Sequence, residues 1–220
     1  MKIQVLLVLY IATVLGSGCA TPVATLSAYE GLVPVQSAQL DELLLRPNAE
    51  MSGYRAIMVD PVQVEFRDDW LKNMNRTRHA VRWLGKDDTR RLAEQAAASL
   101  QDIVAETFKA QGYELVAAPG SGVLRLSPSA TDLYVNAPDR PSPWRTKTFT
   151  RDAGQVTLLL EAHDAVSGTL LGRVVHLGRA REMGGLTMAS EVSNRFWFEA
   201  LFRRWAVNCV TEMKAGKNRP

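Results

Sequence analysis

Residues 155–180 read QVTLLLEAHDAVSGTLLGRVVHLGRA, and this stretch decides the fold. Its first half alternates an apolar set with a more polar set, Val156, Leu158 and Leu160 against Thr157, Leu159 and Glu161. That alternation is the period of a strand with one buried face. Asp164–Gly168 has the composition of a turn, with Gly168 available for a positive φ. Thr169–Ala180 then returns as a second arm, so the stretch predicts a β-hairpin.

Two amphipathic helices are predicted, one before the hairpin and one after it. The first takes Asp87 or Asp88 as its N-cap and stops at Gly112, and the second runs from about Ser190 to Lys214. Their apolar positions follow three-four spacing: Leu92, Ala93, Ala96, Leu100, Ile103, Val104 and Phe108 in the first, and Phe198, Leu201, Phe202, Trp205, Cys209 and Met213 in the second. Each helix therefore has one face for the core.

Three further strands are predicted, at Tyr54–Phe66, Tyr113–Ala117 and Val123–Asn136. Pro61 has no amide donor, so it indicates a bulge or an edge in the first of them. Residues 67–86 and 138–150 are basic, contain tryptophan and show no clean period, which is typical of loops. The order β-α-β-β-β-β-α predicts an α+β fold, a mostly antiparallel sheet of about five strands with two helices on one face.

The composition is that of a soluble globular domain. The chain has 220 residues, 46% of them hydrophobic and 22% charged, which excludes disordered and collagen-like proteins. With two cysteines and three histidines, the chain has few of the clustered ligands that zinc and iron–sulfur sites need, and no cofactor is expected. The net charge of +3 is too small to indicate a nucleic-acid partner.

The N-terminus has the pattern of a secretory signal. Lys2 supplies a positive charge, Ile3–Leu15 is apolar, and small residues follow up to Gly18. Thirteen helical residues span about 20 Å, less than the ~30 Å hydrocarbon core of a bilayer. A cleaved signal at residues 1–18 is therefore favoured over a transmembrane helix.

Leu15-Gly-Ser-Gly-Cys19 resembles the lipobox of bacterial lipoproteins, although Gly16 stands where Leu, Val or Ile is usual. The resemblance implies cleavage before Cys19 and acyl chains on its sulfur and its new amino group. Ala20, where Asp marks inner-membrane retention, implies sorting to the outer membrane. The alternative is an ordinary secretory signal followed by a chance cysteine. Residues 19–53 are then a lipidated N-terminus and a tether that partly docks, and residues 54–220 a single periplasmic α+β domain.

Motifs for catalysis are absent. The sequence has no Gly-x-Ser-x-Gly, His-Glu-x-x-His, P-loop or Cys-x-x-Cys. Glu161 and His163 share one strand face and could form an acid–base or metal pair, with Arg173 nearby, but solvated side chains are the favoured interpretation. His176 lies roughly 20 Å from His163 in the hairpin register, and His79 lies in a basic loop. No catalytic, cofactor-binding or metal residue is therefore predicted.

Other polar and reactive residues have structural interpretations. Cys209, the only thiol left after lipidation, lies on the apolar stripe of the last helix and is expected in the core. The adjacent pairs Asp68-Asp69 and Asp87-Asp88 are expected to close a strand and to cap a helix. Two basic clusters could bind lipid or glycan anions, or could simply be solvated: Arg76, Arg78, Arg82, Lys86, Arg90 and Arg91, and Arg140, Arg145, Lys147 and Arg151.

Several ordered motifs identify a resemblance to a Gram-negative lipoprotein family catalogued as a domain of unknown function. Besides the lipobox, the motifs are Leu26-Ser-Ala-Tyr29-x-x-Leu32, Tyr54-Arg-x-x-Met58-Val-Asp-Pro-Val62, Gly122-Val-Leu-Arg-Leu126, Ala130-Thr-Asp132 and Asp164-x-x-Ser-Gly168. The resemblance implies an envelope location and no known activity. We expect a non-catalytic module that binds an envelope protein. An enzyme acting on envelope glycan or lipid and a structural spacer remain alternatives, and the oligomeric state is open.

Overall fold

A computed structural model describes residues 31–49, 51–76, 83–136, 138, 148–150, 152–181 and 187–215. The predicted signal at residues 1–18 and the lipidation site Cys19 lie outside these ranges. None of the helices in the described ranges combines the length and apolar character needed to cross a bilayer.

Ten strands and three α-helices make up the described part of the chain. The strands are β1 (Val33–Pro34), β2 (Glu42–Leu45), β3 (Ala56–Val59), β4 (Gln63–Phe66), β5 (Glu114–Leu115), β6 (Val123–Val135), β7 (Thr148–Thr150), β8 (Asp152–Asp164), β9 (Leu170–Arg181) and β10 (Thr187–Ala189). The helices are α1 (Trp70–Arg76), α2 (Lys86–Ala110) and α3 (Glu191–Ala215).

Eight of these strands form one mixed sheet. Its order is β1-β2-β9-β8-β6-β3-β5, with β4 also paired to β6, while β7 and β10 form a separate two-stranded sheet. The α+β class is confirmed, but the mostly antiparallel sheet of about five strands with two helices is wrong. The reason is the crossover through α1 and α2, which makes β3 and β4 parallel to β6.

The predicted hairpin is confirmed, and it lies in the middle of the strand order. β8 and β9 pair antiparallel along their length, with Glu161 opposite Arg173 and His163 opposite Leu170. Val156, Leu158 and Leu160 are buried under the helices, as their alternation predicts. The intervening residues lie on the opposite side of the sheet, called here the open face.

α3 buries its predicted face, and α2 buries the second half of its own, at Leu100, Ile103, Val104 and Phe108. In α3, Phe198, Leu201, Phe202, Trp205, Cys209 and Met213 are all buried. Burial also raises the pKa of the Cys209 thiol well above its usual range, so Cys209 is confirmed as a core residue. The predicted N-cap of α2, Asp87 or Asp88, is wrong because Gly85 is the N-cap, and Asp88 in the first turn accepts a hydrogen bond from the backbone N–H of Gly85 at 2.9 Å.

Three segments are more ordered than their sequences indicate. β1 and β2, in the stretch assigned to the tether, extend the sheet beyond β9, so the folded body begins before Tyr54. α1 lies in the predicted loop 67–86, where fully buried Trp70 donates Nε1–H to the carbonyl of Val135 at 3.0 Å. β7, at the end of the predicted loop 138–150, pairs with β10. Pro61 separates β3 from β4, which both pair with β6.

A bulge next to Gly154 bends the longest pair of strands. The register of β6 against β8 shifts between Thr131 and Tyr134, and Asp132 has φ 52°. Gly154 has φ 144°, and a Cβ there would collide with the carbonyl of Tyr134. The bulge therefore requires a residue without a side chain at this point of β8.

We predict that Gly154→Ala lowers the free energy of unfolding by well over ~1 kcal/mol, because strain and steric overlap act together. Gly53→Ala is the matched control, since a Cβ there meets no atom within 4 Å. Urea unfolding followed by tryptophan fluorescence measures both. Equal midpoints for the two variants would contradict the requirement for glycine.

Candidate functional site

The open face brings together the three residues singled out in the hairpin. Arg173 donates from a guanidinium N–H to Glu161 Oε1 at 3.0 Å, and His163 Nε2 lies 3.9 Å from Glu161 Oε2. All three side chains are partly exposed. The sequence prediction that Glu161 and His163 share a face is confirmed, and Arg173, expected nearby, joins them across the β8–β9 pair.

Glu161, His163 and Arg173 form a row of charged side chains across the open face, and a second ion pair extends this row toward β3. Arg125, opposite His163 in the register, donates to Asp60 at 2.9 Å, and Ser127 also donates to Asp60. Each carboxylate in the row therefore has a guanidinium partner. Each cross-strand pair of opposite charge stabilises a sheet by about 0.2–1 kcal/mol. This stabilisation is enough to explain the row without a catalytic role.

The other histidines do not join this row. His176 pairs with Leu158 in the register, and its Nδ1 lies 3.2 Å from Asp41 Oδ2. The predicted separation of His163 and His176 is confirmed by this register. His79 lies outside the described residues. In the ranges that the structure describes, no group of three or more His, Cys, Asp or Glu side chains is placed to hold a metal ion.

Tyr54 and Asp164 join the start of β3 to the hairpin turn. Tyr54 donates its hydroxyl to Asp164 Oδ2 at 2.9 Å, while Asp164 Oδ1 accepts the backbone N–H of Ser167 at 2.7 Å. The Ser167 backbone bond is the main cause of the lowered pKa of Asp164. Burial, followed by the bond to Asp164 and its charge, raises the pKa of Tyr54 to about 12.

Arg90 and Arg91, two described members of the first basic cluster, form ion pairs with acidic side chains. Arg90 contacts Asp87 at 2.7 Å, and Arg91 contacts Glu191 at 3.3 Å. Six cluster members lie outside the described residues: Arg78, Arg82, Arg140, Arg145, Lys147 and Arg151. These contacts favour the solvated interpretation for Arg90 and Arg91.

The adjacent acidic pairs also have structural contacts. Asp69 accepts hydrogen bonds from Arg67 at 2.6 Å and from Asn73 at 2.8 Å, at the start of α1. The Arg67 bond is the main cause of the lowered pKa of Asp69. Asp88 lies in the first turn of α2 and accepts from the backbone N–H of the N-cap Gly85. Asp69 and Asp88 therefore each serve the start of a helix, whereas the sequence predicted a strand end for Asp68-Asp69 and the N-cap itself for Asp87 or Asp88.

A concave apolar site that the sequence analysis missed lies between the N-terminal halves of α2 and α3, and we call it the helix groove. Its volume is about 70 Å³. Its apolar lining comes from α2, β6 and α3: Leu92, Ala96, Leu133, Val135, Phe198 and Phe202. Leu92 and Ala96 were assigned to the core by spacing, but both remain partly exposed because α3 does not cover them.

Charged and amide side chains form the rim of the helix groove. Glu191 Oε1 accepts from Arg91 and from Gln95, each at 3.3 Å, and Arg195 lies 3.6 Å from the same oxygen. Glu191 is the first residue of α3, whereas Arg91 and Gln95 belong to α2. This network therefore holds the N-terminal parts of the two helices together. An apolar floor with a polar rim is the composition of many protein-binding sites.

A model of the family described as "Protein of unknown function (DUF3313)" matches residues 22–209. This match confirms the resemblance to a family of unknown function. No curated protein matches the chain.

Distant similarities exist among solved structures. A PelC dodecamer from Paraburkholderia phytofirmans is 15% identical, with a TM-score of 0.36 over 71% of this chain and 87% of that chain. XCC0632 from Xanthomonas campestris, a DUF330 protein, is 10% identical, with a TM-score of 0.40 over 74% and 86%. A neuraminyllactose-binding hemagglutinin homolog from Helicobacter pylori is 10% identical, with a TM-score of 0.35 over 83% and 88%.

The Tyr54–Asp164 contact predicts a pH dependence of stability. The lowered pKa of Asp164 means that its ionised form stabilises the fold above the unfolded pKa and that this contribution is lost below about pH 4. The raised pKa of Tyr54, about 12, means that its contribution is present below about pH 10 and is lost as the pH rises through 12. The free energies of unfolding in urea of the wild type and Asp164→Asn should therefore converge in acid. Those of the wild type and Tyr54→Phe should converge in strong base. If the difference in free energy of unfolding between the wild type and each variant stayed constant across pH, the predicted pH dependence would be wrong.

Proposed function

The chain belongs to the DUF3313 family of proteins of unknown function, and from this premise we propose that it is a lipid-anchored lipoprotein of the outer membrane. Its periplasmic domain binds an envelope protein through the helix groove and catalyses no reaction. The observation that carries the binding role is the helix groove itself, an apolar concavity with a charged rim.

The size of the helix groove favours a protein partner over a small-molecule substrate. Its volume of about 70 Å³ is well below the ~300–1,000 Å³ typical of ligand pockets. A single apolar side chain from a partner fits this scale, and anchors of this kind dominate protein–protein interfaces. Glu191 and Arg195 on the rim present both charges to such a partner. A structural spacer has no need for a concave apolar site.

An envelope glycan- or lipid-modifying enzyme is the second candidate, because Glu161, His163 and Arg173 do gather on one face. Arg173 occupies one oxygen of Glu161, and the helix groove lies on the other side of the sheet. A general acid or base needs a substrate proton within hydrogen-bond reach. A row of matched ion pairs on a sheet surface supports this role less well than the helix groove supports binding.

The anchor is supported by the lipobox-like segment ending at Cys19. Each buried CH₂ contributes about 0.8 kcal/mol, and a single acyl chain binds only marginally, so stable attachment requires more than one. The modification implied for Cys19 supplies three.

We predict that cells grown with an alkyne analogue of palmitate label this protein and that Cys19→Ala removes the label together with outer-membrane fractionation. Cys209→Ala is the matched control, because it removes the buried cysteine and leaves the lipidation segment intact. Click labelling and density-gradient fractionation measure both properties. Label retained in Cys19→Ala would refute the assignment of the anchor.

We also predict that a photo-crosslinking amino acid at Glu199, in the lining of the helix groove, captures a recurring envelope protein in living cells. The same probe at Val207, two turns further along α3 and partly exposed, should not capture it. Ala96→Trp fills the helix groove and should abolish the product at Glu199.

Circular dichroism checks that Ala96→Trp remains folded. The same products at both probe positions, or a product at Glu199 that survives Ala96→Trp in folded protein, would contradict binding through the helix groove.

A further inference from the structure

The first described residues of the chain pack beside the hairpin turn. Leu32 packs against Leu44 and Leu170, and the backbone N–H of Arg46 bonds to the carbonyl of Leu171. Leu170 is the first residue of β9 after the turn. The end of the sheet that contains this turn is called here the hairpin end.

Chain length keeps the hairpin end within reach of a lipidated Cys19. The roughly twelve residues from Cys19 to Gly31 span at most about 40 Å when extended. β9 alone extends about 40 Å from the hairpin end toward α3's first turn. The helix groove lies beside that first turn, so the entry point keeps it at the far end of the domain.

Exposed apolar side chains lie at the hairpin end. Val166, in the turn, is 69% exposed, Leu115 on β5 is 50% exposed and Val33 on β1 is 44% exposed. The register places Leu115 there, because it pairs with Ile57, Ile57 pairs with Leu124 and Leu124 pairs with Asp164. Apolar side chains on β1, β5 and the turn thus span the width of the sheet.

The charges at the hairpin end suit an anionic surface. Both long helices finish here, as the bond of 2.8 Å from Lys214 Nζ to the carbonyl of Gln111 shows. Four cations lie at this end: Arg46, Arg55, Lys109 and Lys214. Among the described residues, three acids at this end oppose them: Glu114, Asp164 and Glu212. Tyr54 and Ser167 donate to Asp164, and Ser37 donates to Glu212. The sequence continues from α3 with Lys217 and Arg219.

We propose that the hairpin end rests on an anionic phospholipid surface and holds the helix groove away from it, toward a protein partner. This inference rests on the proposed anchor at Cys19. Val166 and its neighbours contact the headgroup boundary, and the cations add electrostatic attraction, as in other peripheral contacts with membranes.

Single introduced cysteines test the orientation in lipidated protein reconstituted into vesicles of phosphatidylethanolamine and phosphatidylglycerol. Cys209 is buried and Cys19 is acylated under the proposal, so a thiol-reactive fluorophore marks only the new site. Val166→Cys is compared with Val192→Cys, a valine 78% exposed at the start of α3. A headgroup-bound quencher should dim the probe at Val166 and leave the probe at Val192 bright.

Charge variants test the contribution of the cations. Lys109→Gln at the end of α2 should weaken the contact about five-fold, seen as reduced quenching at Val166, since each lysine near an anionic surface contributes a comparable factor. Lys86→Gln at the start of the same helix is the matched control and should change nothing. Vesicles of phosphatidylcholine alone should reduce the quenching further than Lys109→Gln does, because they remove the attraction for every cation at the hairpin end.

The outcomes separate the two proposals. Protein that floats with the vesicles, with stronger quenching at Val166 than at Val192, supports the orientation. Flotation with equal quenching, or with stronger quenching at Val192, overturns the orientation and leaves the anchor in place. Wild-type protein that fails to float overturns the anchor, and the orientation with it.

Discussion

The packing of α3 against the β8–β9 hairpin is the interaction on which the rest of the structure depends. Gly178 of β9 lies directly under Leu201, and a Cβ at Gly178 would come within 2.8 Å of that leucine. The close approach lets Trp205 and Cys209 reach the sheet and become fully buried. α2 then packs beside α3 over the other half of the sheet, so the position of α3 sets the depth of the whole core.

The helix groove follows from how the two helices finish covering the sheet. Leu100, Ile103 and Val104 in the middle of α2 are buried, whereas Leu92 and Ala96, nearer its start, are only partly covered. The rim network at Glu191 ties the helix starts together above this gap. Among the described residues, an apolar floor is thus left partly uncovered where the core packing ends, at the end of the domain remote from the hairpin turn.

The open face and the helix groove differ in what they offer chemically. On the open face, Glu161 and Asp60 each have an arginine partner, so the charges satisfy one another across the strands. In the helix groove, Leu92 and Ala96 are partly exposed and would gain from contact with another apolar surface. This contrast is why we place recognition in the groove and a structural role on the sheet.

Local patterns in the sequence predicted the elements that depend on their own periodicity. The alternation from Val156 to Leu160 and the stripe from Phe198 to Met213 specify which face of each element is buried, and both are observed. Trp70 illustrates the opposite case, because its burial depends on the carbonyl of Val135, which is distant in sequence. The groove was missed for a similar reason: spacing marks Ala96 as apolar but does not show where a neighbouring helix stops covering it.

The sequence by itself determined the α+β class, the central hairpin, the inward faces of α2 and α3 and the burial of Cys209, because side-chain periodicity encodes a face. Only the tertiary structure decided the parallel pairing of β3 and β4 with β6, the recruitment of β1 and β2 to the edge beside β9, and the position of the helix groove. Periodicity carries no information about which edge a strand joins. That choice depends on which backbone edges and apolar surfaces remain uncovered once the core elements have packed.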